Sequence, residues 1–307
     1  MSDVVETNPM RVAIVGCGYV GIELGRQLAS DHEVIGVRRS DEGVTAIESA
    51  GFEAVQADLT DANALGAVPD PDAVVFAASS GGRGADAARE VYVEGQQTVI
   101  DHFGERENAP DRYLYTSSTG VYGDHGGDWV DEETPLDPQT DKTEVLAEAE
   151  RVALERPEKY STDGTVARLA GLYGPDRYRL QRYIEGPVTE GYLNMVHRDD
   201  AAGAVAHLLT GSHARGEAVL VVDDEPVSKW EFADWLATQC GRESPPKQTK
   251  DERLADDSLS ATARRRIQTS KRCANEKLRG LGYEFSYPTF RDGYEAAIAA
   301  YRDENAP

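Results

Sequence analysis

The chain has 307 residues, enough for two domains at ~150 residues each or for one large α/β unit with an appendage. Its 55 acidic and 32 basic residues leave a formal net charge of −23, which argues against nucleic acid and anionic membrane surfaces as partners. No uncharged apolar run approaches the ~20 residues that span a bilayer, and the acidic start over 1–10 lacks the apolar segment of a secretory leader.

A cytoplasmic location is therefore expected. Cys17, Cys240 and Cys273 are odd in number and far apart, which excludes a disulfide framework and a metal knuckle. No two of the six His lie at helical i, i+4 spacing, so no metal is expected. The cations are seven Lys against 25 Arg. So few Lys beside so many carboxylates fit a halophilic protein, because concentrated salt screens self-repulsion.

In chain order, the first half alternates apolar strands with amphipathic helices. Arg11–Gly16 reads as a buried parallel strand, and 19–30 as a helix with Val20, Leu24 and Leu28 on one face. Strands are expected again at 33–37, 52–57, 73–78, 112–116 and 165–169, with helices near 41–50, 61–67, 85–104 and 141–156. This order predicts an α/β fold, a Rossmann-type doubly wound parallel sheet. Beyond Pro175 the alternation loosens. Strands at 192–197 and 218–222 precede helices at 199–210 and 228–239, and a last helix covers 290–302. The polar stretch 241–270 reads as a mobile insertion or long loop. The expected division is a dinucleotide-binding domain over 1–175, with 192–211 returning to it, and a smaller substrate-binding α/β region over 176–307.

Gly16-Cys-Gly18-Tyr-Val-Gly21 follows the first strand and opens the first helix. The first glycine allows the tight turn, the second lets backbone approach a pyrophosphate, and the third lets helix pack on strand. In that context the loop predicts a bound dinucleotide. The second strand ends in Arg38-Arg39-Ser40 with no acid at its tip. Guanidinium groups there suit a 2′-phosphate, so NADP is expected over NAD; a solvated surface pair is the other reading. Asp58 either sits beside the adenine or caps the helix near 61–67. Tyr19, Val20, Leu59, Ala77 and Ala78 complete the expected cofactor-binding set. Cys17 reads as a small buried residue of this loop.

Tyr115-Thr-Ser-Ser-Thr-Gly-Val-Tyr-Gly123, the acidic, proline-marked 131–138 and Arg168-Leu-Ala-Gly-Leu-Tyr-Gly-Pro175 come next, then His197-Arg-Asp-Asp200. With a C-terminal set of Lys271, Arg272, Asn275, Leu278, Gly282, Tyr283, Tyr287 and Pro288, they resemble the extended short-chain dehydrogenase/reductases. More narrowly, they resemble an atypical, sugar-nucleotide-epimerase-like branch of the NAD-dependent epimerase/dehydratase family. The resemblance spans essentially the whole chain. It implies that Ser118 holds the substrate's reacting oxygen and that a homodimer can form through the helices at 85–104 and 141–156.

The family's chemistry uses a Tyr-x-x-x-Lys pair, and no Tyr of this chain has Lys four residues later. Where the pair should fall stand Lys142 with Leu146, or Thr140 with Glu144; Tyr92 replaces the usual Asn of the preceding helix. Hydride transfer still needs a proton donor within ~3 Å of the developing alkoxide. Tyr122, with Lys142 as a neighbouring cation, is one candidate, and its competing role is packing; Lys142 has the competing role of a solvated helix residue. His125, in a glycine-rich loop, either covers a substrate or is simply exposed. Glu144, Glu148 and Glu150 read as an exposed acidic helix face. His197 is expected at the joint of the domains.

The expected function is NAD(P)-dependent hydride exchange on a sugar, sugar nucleotide or other small carbonyl or polyol, with Ser118, Tyr122 and Lys142 as catalytic residues. The alternative is a non-catalytic NADP(H) sensor, which would keep the glycine loop and lose the pair. Arg177, with Arg179 and Arg182, suits a phosphate group, so the expected partner is a small, phosphorylated sugar or nucleotide-sugar substrate.

Overall fold

Short runs of branched apolar residues build the centre of the fold. In the computed structural model, which describes residues 9–82, 84–211 and 213–305, Arg11–Val15 (β1) buries Val12, Ala13 and Ile14 completely. Residues 1–8, whose composition argued against a leader, lie outside the described residues. Strand Glu33–Arg38 (β2) pairs parallel with β1, and Glu53–Gln56 (β3) pairs parallel with β2. On the other side Ala73–Phe76 (β4) lies parallel to β1, and Arg112–Ser118 (β5) parallel to β4. Strands Asp163–Leu169 (β6) and Glu217–Val221 (β7) extend the sheet to seven strands in the order 7-6-5-4-1-2-3. The order reverses between β1 and β4. That reversal is the switch point at which open α/β sheets bind ligands.

Local chemistry sets the helix starts. Tyr19–Leu28 (α1) has Gly18 as N-cap, with no capping side chain and no acid in its first turn. Asp41–Ser49 (α2) is capped by Ser40, whose side chain accepts from the Gly43 amide, and Ala62–Leu65 (α3) by Asp61, which accepts from the Asn63 amide. The helix expected over 85–104 is continuous but not uniform. Ala85–Arg89 (α4) passes into a π-helical segment, Glu90–Gly95, before Gln96–Gly104 (α5). Such a bulge inserts a residue and turns side chains that an ideal helix would aim elsewhere. Asp141–Glu155 (α6) begins with a reciprocal capping box of Thr140 and Thr143.

The chain divides into two compact units. The first, 1–121, 138–168 and 201–219, holds most of the central sheet and its helices. Its core includes Ile35, Phe76, Phe103, Tyr113 and Tyr115. The second, 122–137, 169–200 and 220–307, is built from two-stranded ladders and helices. Leu180–Glu185 (α7), Lys229–Gln239 (α8) and Phe290–Glu304 (α9) surround Tyr173, Phe232, Phe290 and Tyr294. These four aromatic rings meet edge-on or stacked at 5.0–5.2 Å between centroids. The stretch 241–270, expected as a loop, carries a strand at Lys247–Gln248 and helices at Lys250–Leu254 and Ala261–Gln268. Its polarity hid them, because each is too short to show a periodic apolar face. The run expected as one strand over 192–197 is two, Tyr192–Leu193 and Met195–His197, on different partners. Among the described residues no helix is long and apolar enough to cross a membrane, and no group of three or more His, Cys, Asp or Glu could hold a metal ion.

Candidate functional site

In the first unit the glycine loop lies at the switch point. Gly16 has φ +79°, and a Cβ there would collide with the backbone of Ala78 at the end of β4. Only glycine satisfies both demands. The Gly16 and Cys17 amides donate to the Val37 carbonyl at 3.1 and 3.2 Å, which ties the loop to the end of β2. A Cβ at Gly21 would stand 3.0 Å from the Ile14 side chain, so the third glycine sets how closely α1 packs on β1. Tyr19 and Val20 open α1, Val20 buried and Tyr19 half-buried. Cys17 is fully enclosed, and burial pushes its thiol up to about 12, which leaves it protonated and unreactive.

Arg38 ends β2 and folds over the loop. Its Nη1 donates to the Cys17 carbonyl at 3.3 Å and lies 2.8 Å from where a Gly18 Cβ would be. On its other side Nε lies 2.8 Å from the corresponding position at Gly43. Two glycines thus leave the guanidinium room between loop and α2. Arg39 is exposed and reaches toward Gly81. Asp58 accepts from the Thr60 amide at 3.0 Å and hydroxyl at 2.8 Å, and these two bonds hold its carboxyl below the usual range. It therefore shapes the turn after β3, while Asp61 takes the helix cap. Leu59 beside it packs on Gly95. Ala77 follows β4 and donates to the Val15 carbonyl at 2.8 Å; Ala78 is the buried residue against Gly16. All of the predicted cofactor residues lie along the ends of β1 to β4. The residues present fit a dinucleotide: a close-approach glycine turn, a helix start with no capping side chain and a basic strand tip.

Ser118 ends β5, half-buried, with its Oγ accepting from the Gly120 amide at 3.2 Å. Its neighbour Ser117 is buried and donates to Glu150 Oε1 at 2.6 Å. Glu150 is only 2% exposed and pairs with the equally enclosed Arg168 through Nη2 at 2.8 Å and Nε at 3.1–3.2 Å. The expectation of an exposed acidic face on α6 holds for Glu144 and is corrected for Glu148 and Glu150. Glu150 is an internal ion pair, and Glu148 is half-buried in a salt bridge with Arg89 at 2.5 Å. The signal was in the sequence: Thr143 and Glu150, seven residues apart, share the buried face of α6. Tyr92 sits in the π-helical segment, and its hydroxyl accepts from the Ser80 amide at 3.0 Å, just beyond β4. No sequence signal announced that bulge. Lys142 is exposed in the first turn of α6.

In the second unit, Tyr122 is fully buried, and its carbonyl pairs with the half-buried His125 ring at 2.9 Å. Arg177 is exposed in the turn after Gly171–Tyr173, its amide donating to Gly174. His197 is buried between the rings of Tyr173 and Tyr287, at 5.3 and 3.9 Å. Asp200, also buried, accepts from the Ser286 and Tyr287 amides at 2.7 and 2.8 Å and from the Tyr283 hydroxyl. The His197–Asp200 motif and the C-terminal Tyr283–Pro288 motif are thus one structural device.

Comparison with known proteins agrees with this geometry. The model of the NAD dependent epimerase/dehydratase family matches residues 12–216. Protein YeeZ of Escherichia coli K12 is 31% identical over 287 residues, covering 91% of this chain and 96% of YeeZ. A solved structure of a functionally unknown conserved protein from Silicibacter pomeroyi DSS superposes with a TM-score of 0.74 at 28% identity, covering 95% of this chain and 99% of that one. The fold is shared with human epimerase family protein SDR39U1, solved with NADPH, at TM-score 0.72 and 18% identity, covering 94% and 99% of the two chains. The glycine turn at the switch point and the strand order around it are therefore those of a family fold that binds NAD(P), and this chain belongs to the NAD-dependent epimerase/dehydratase family.

Proposed function

We propose that the chain is an NADP-preferring oxidoreductase that exchanges hydride with a carbonyl or hydroxyl carbon of a sugar, sugar nucleotide or other small polyol. The observation that carries this reading is the Arg38 guanidinium set against the Gly18 turn, at a strand tip with no carboxylate. A carboxylate there would hold a ribose diol; a guanidinium instead matches a 2′-phosphate.

Reversible hydride transfer is the chemistry such a cofactor supplies when bound. The chain's own residues then have three tasks. Gly16 and Gly18 admit the backbone to the pyrophosphate, and Arg38, with Ser40 beside it, meets the 2′-phosphate. Ser118 holds the reacting oxygen: its Oγ accepts from the Gly120 amide, which leaves its proton available to donate. Reduction of a carbonyl also consumes one proton. Lys142, exposed at the start of α6, can exchange that proton with water, whereas the ring of Tyr122 is enclosed.

NADPH oxidation followed by absorbance over a panel of sugars, sugar nucleotides and small carbonyl compounds tests the reading. Turnover is expected for at least one class, with Ser118→Ala lowering kcat by about 10²-fold or more while NADPH affinity stays within about twofold. The missing Tyr-x-x-x-Lys pair favours a second reading, a dinucleotide sensor. Tight NADPH binding with no turnover on any panel member would support it against the enzyme.

A further inference from the structure

The π-helical segment Glu90–Gly95 is held by the first side chain of the helix that follows it. Gln96, 0% exposed, opens α5. Its Nε2 donates to the Tyr92 carbonyl at 3.0 Å and to the Ala149 carbonyl of α6 at 2.8 Å, and its Oε1 accepts from the Tyr113 hydroxyl of β5 at 3.2 Å. A fully buried amide committed to all three partners fixes the bulge in place. A Cβ at Gly95 would stand 2.2 Å from the Leu59 side chain and 3.1 Å from the Glu90 carbonyl, so glycine lets the segment close on the turn after β3.

The bulge aims Tyr92, whose hydroxyl accepts from the Ser80 amide at 3.0 Å and from the Ser80 hydroxyl at 3.4 Å. Ser80 lies past the end of β4, in no strand or helix, and the phenol is the acceptor its amide finds among the described residues. A regular helix, with one residue fewer, would turn Tyr92 by about 100° relative to α5 and break this bond. The neighbours of Ser80 touch the cofactor residues. Ala78 Cα lies 2.3 Å from where a Gly16 Cβ would be, and the same point at Gly81 lies 3.8 Å from Arg39 Nη2. The stretch 78–81 is therefore held between the glycine turn, the residue after β2 and Tyr92.

In a doubly wound sheet the dinucleotide crosses the switch point, its adenosine half toward β2 and its other half toward β4. We propose that Tyr92 is a positioning residue for that second half: through the Ser80 amide it fixes the course of 78–81, past which the nicotinamide end runs. The Tyr92 ring packs against the core of the first unit with or without a hydroxyl. Among the described residues the hydroxyl's partner is Ser80 alone. Without that bond 78–81 would be ordered only on binding, and the ligand would carry that entropy cost. The assignment rests on the dinucleotide reading of the glycine loop and is independent of the substrate and of the group that supplies the proton.

The test is calorimetric titration of NADPH and of adenosine 2′,5′-bisphosphate, which ends at the first 5′-phosphate, into the unaltered chain and Tyr92→Phe. Phe keeps the ring, so the fold should be retained. NADPH should bind about tenfold more weakly to the variant, while the bisphosphate stays within about twofold. Hydrogen exchange without ligand gives a second readout. The Ser80 amide should be protected relative to that of Gly81 and should exchange about tenfold faster in Tyr92→Phe. Unchanged NADPH affinity, or equal weakening of both ligands, overturns the assignment. A Ser80 amide as unprotected as that of Gly81 in the unaltered chain overturns it without the variant. If the unaltered chain binds neither ligand, the dinucleotide reading falls and the assignment with it, whereas binding that ignores Tyr92→Phe removes the assignment alone.

Discussion

Asp223 shows how one enclosed side chain governs pH behaviour. It is 1% exposed, its Oδ2 has no hydrogen-bond partner, and Asp224, Glu225 and Asp200 add negative charge nearby. Burial, first, and those charges raise its carboxyl well above the ordinary range, which favours the neutral acid in the fold. The sign follows from linkage. Its contribution is fully present below the unfolded value of ~3.9 and is lost as pH rises through the folded value, because the unfolded chain gains by ionising. Asp223→Asn, which mimics the neutral acid, should therefore raise the midpoint of thermal unfolding at neutral pH. The gain should shrink toward zero on acidification below ~pH 4. A gain that grows on acidification would mean that Asp223 is ionised in the fold.

At the scale of elements, α6 is held on the sheet by the Glu150–Arg168 pair and by Ser117 of β5. Breaking one partner leaves a buried charge, so Glu150→Gln should cost about 3 kcal/mol, against less than about 1 kcal/mol for Glu148→Gln in its half-buried, solvent-reached pair. Urea unfolding read by circular dichroism measures both, and equal costs would remove the pair's structural role. The elements that run through the central sheet were legible in the sequence, because buried parallel strands are nearly continuous apolar runs and their helices carry one apolar face. The positions of the glycine loop, Arg38 and Ser118 were legible for the same reason: each lies at a strand end that could be located. What was not legible depends on tertiary partners. Glu150 looks like its solvated neighbours until Arg168 is brought beneath it, and the short elements of 241–270 gain order from strand Val188–Thr189 and from Glu190, not from a pattern of their own. The π-helical turn at Tyr92 likewise has no composition that marks it.

Over the whole molecule the net charge of −23 is the dominant electrostatic fact. Surface ion pairs such as Arg106–Asp70 and Arg291–Glu225 are local and few beside that surplus. Raising KCl from about 0.1 to about 2 M should therefore raise the thermal midpoint, as the Debye length falls from ~10 Å to below ~3 Å and self-repulsion is screened. A midpoint that falls with salt would show that attractive pairs dominate instead. The same surplus makes a basic strand tip conspicuous. In a chain so acidic, Arg38 over the glycine loop is the feature on which the functional reading turns, and it can be tested without knowing the substrate. Calorimetric titration of NADPH and NADH into the protein and its Arg38→Ala variant is that test. The account predicts that NADPH binds at least about tenfold more tightly and that the substitution erases the difference while leaving NADH nearly unaffected. Equal affinity for the two nucleotides, or binding of neither, would contradict it.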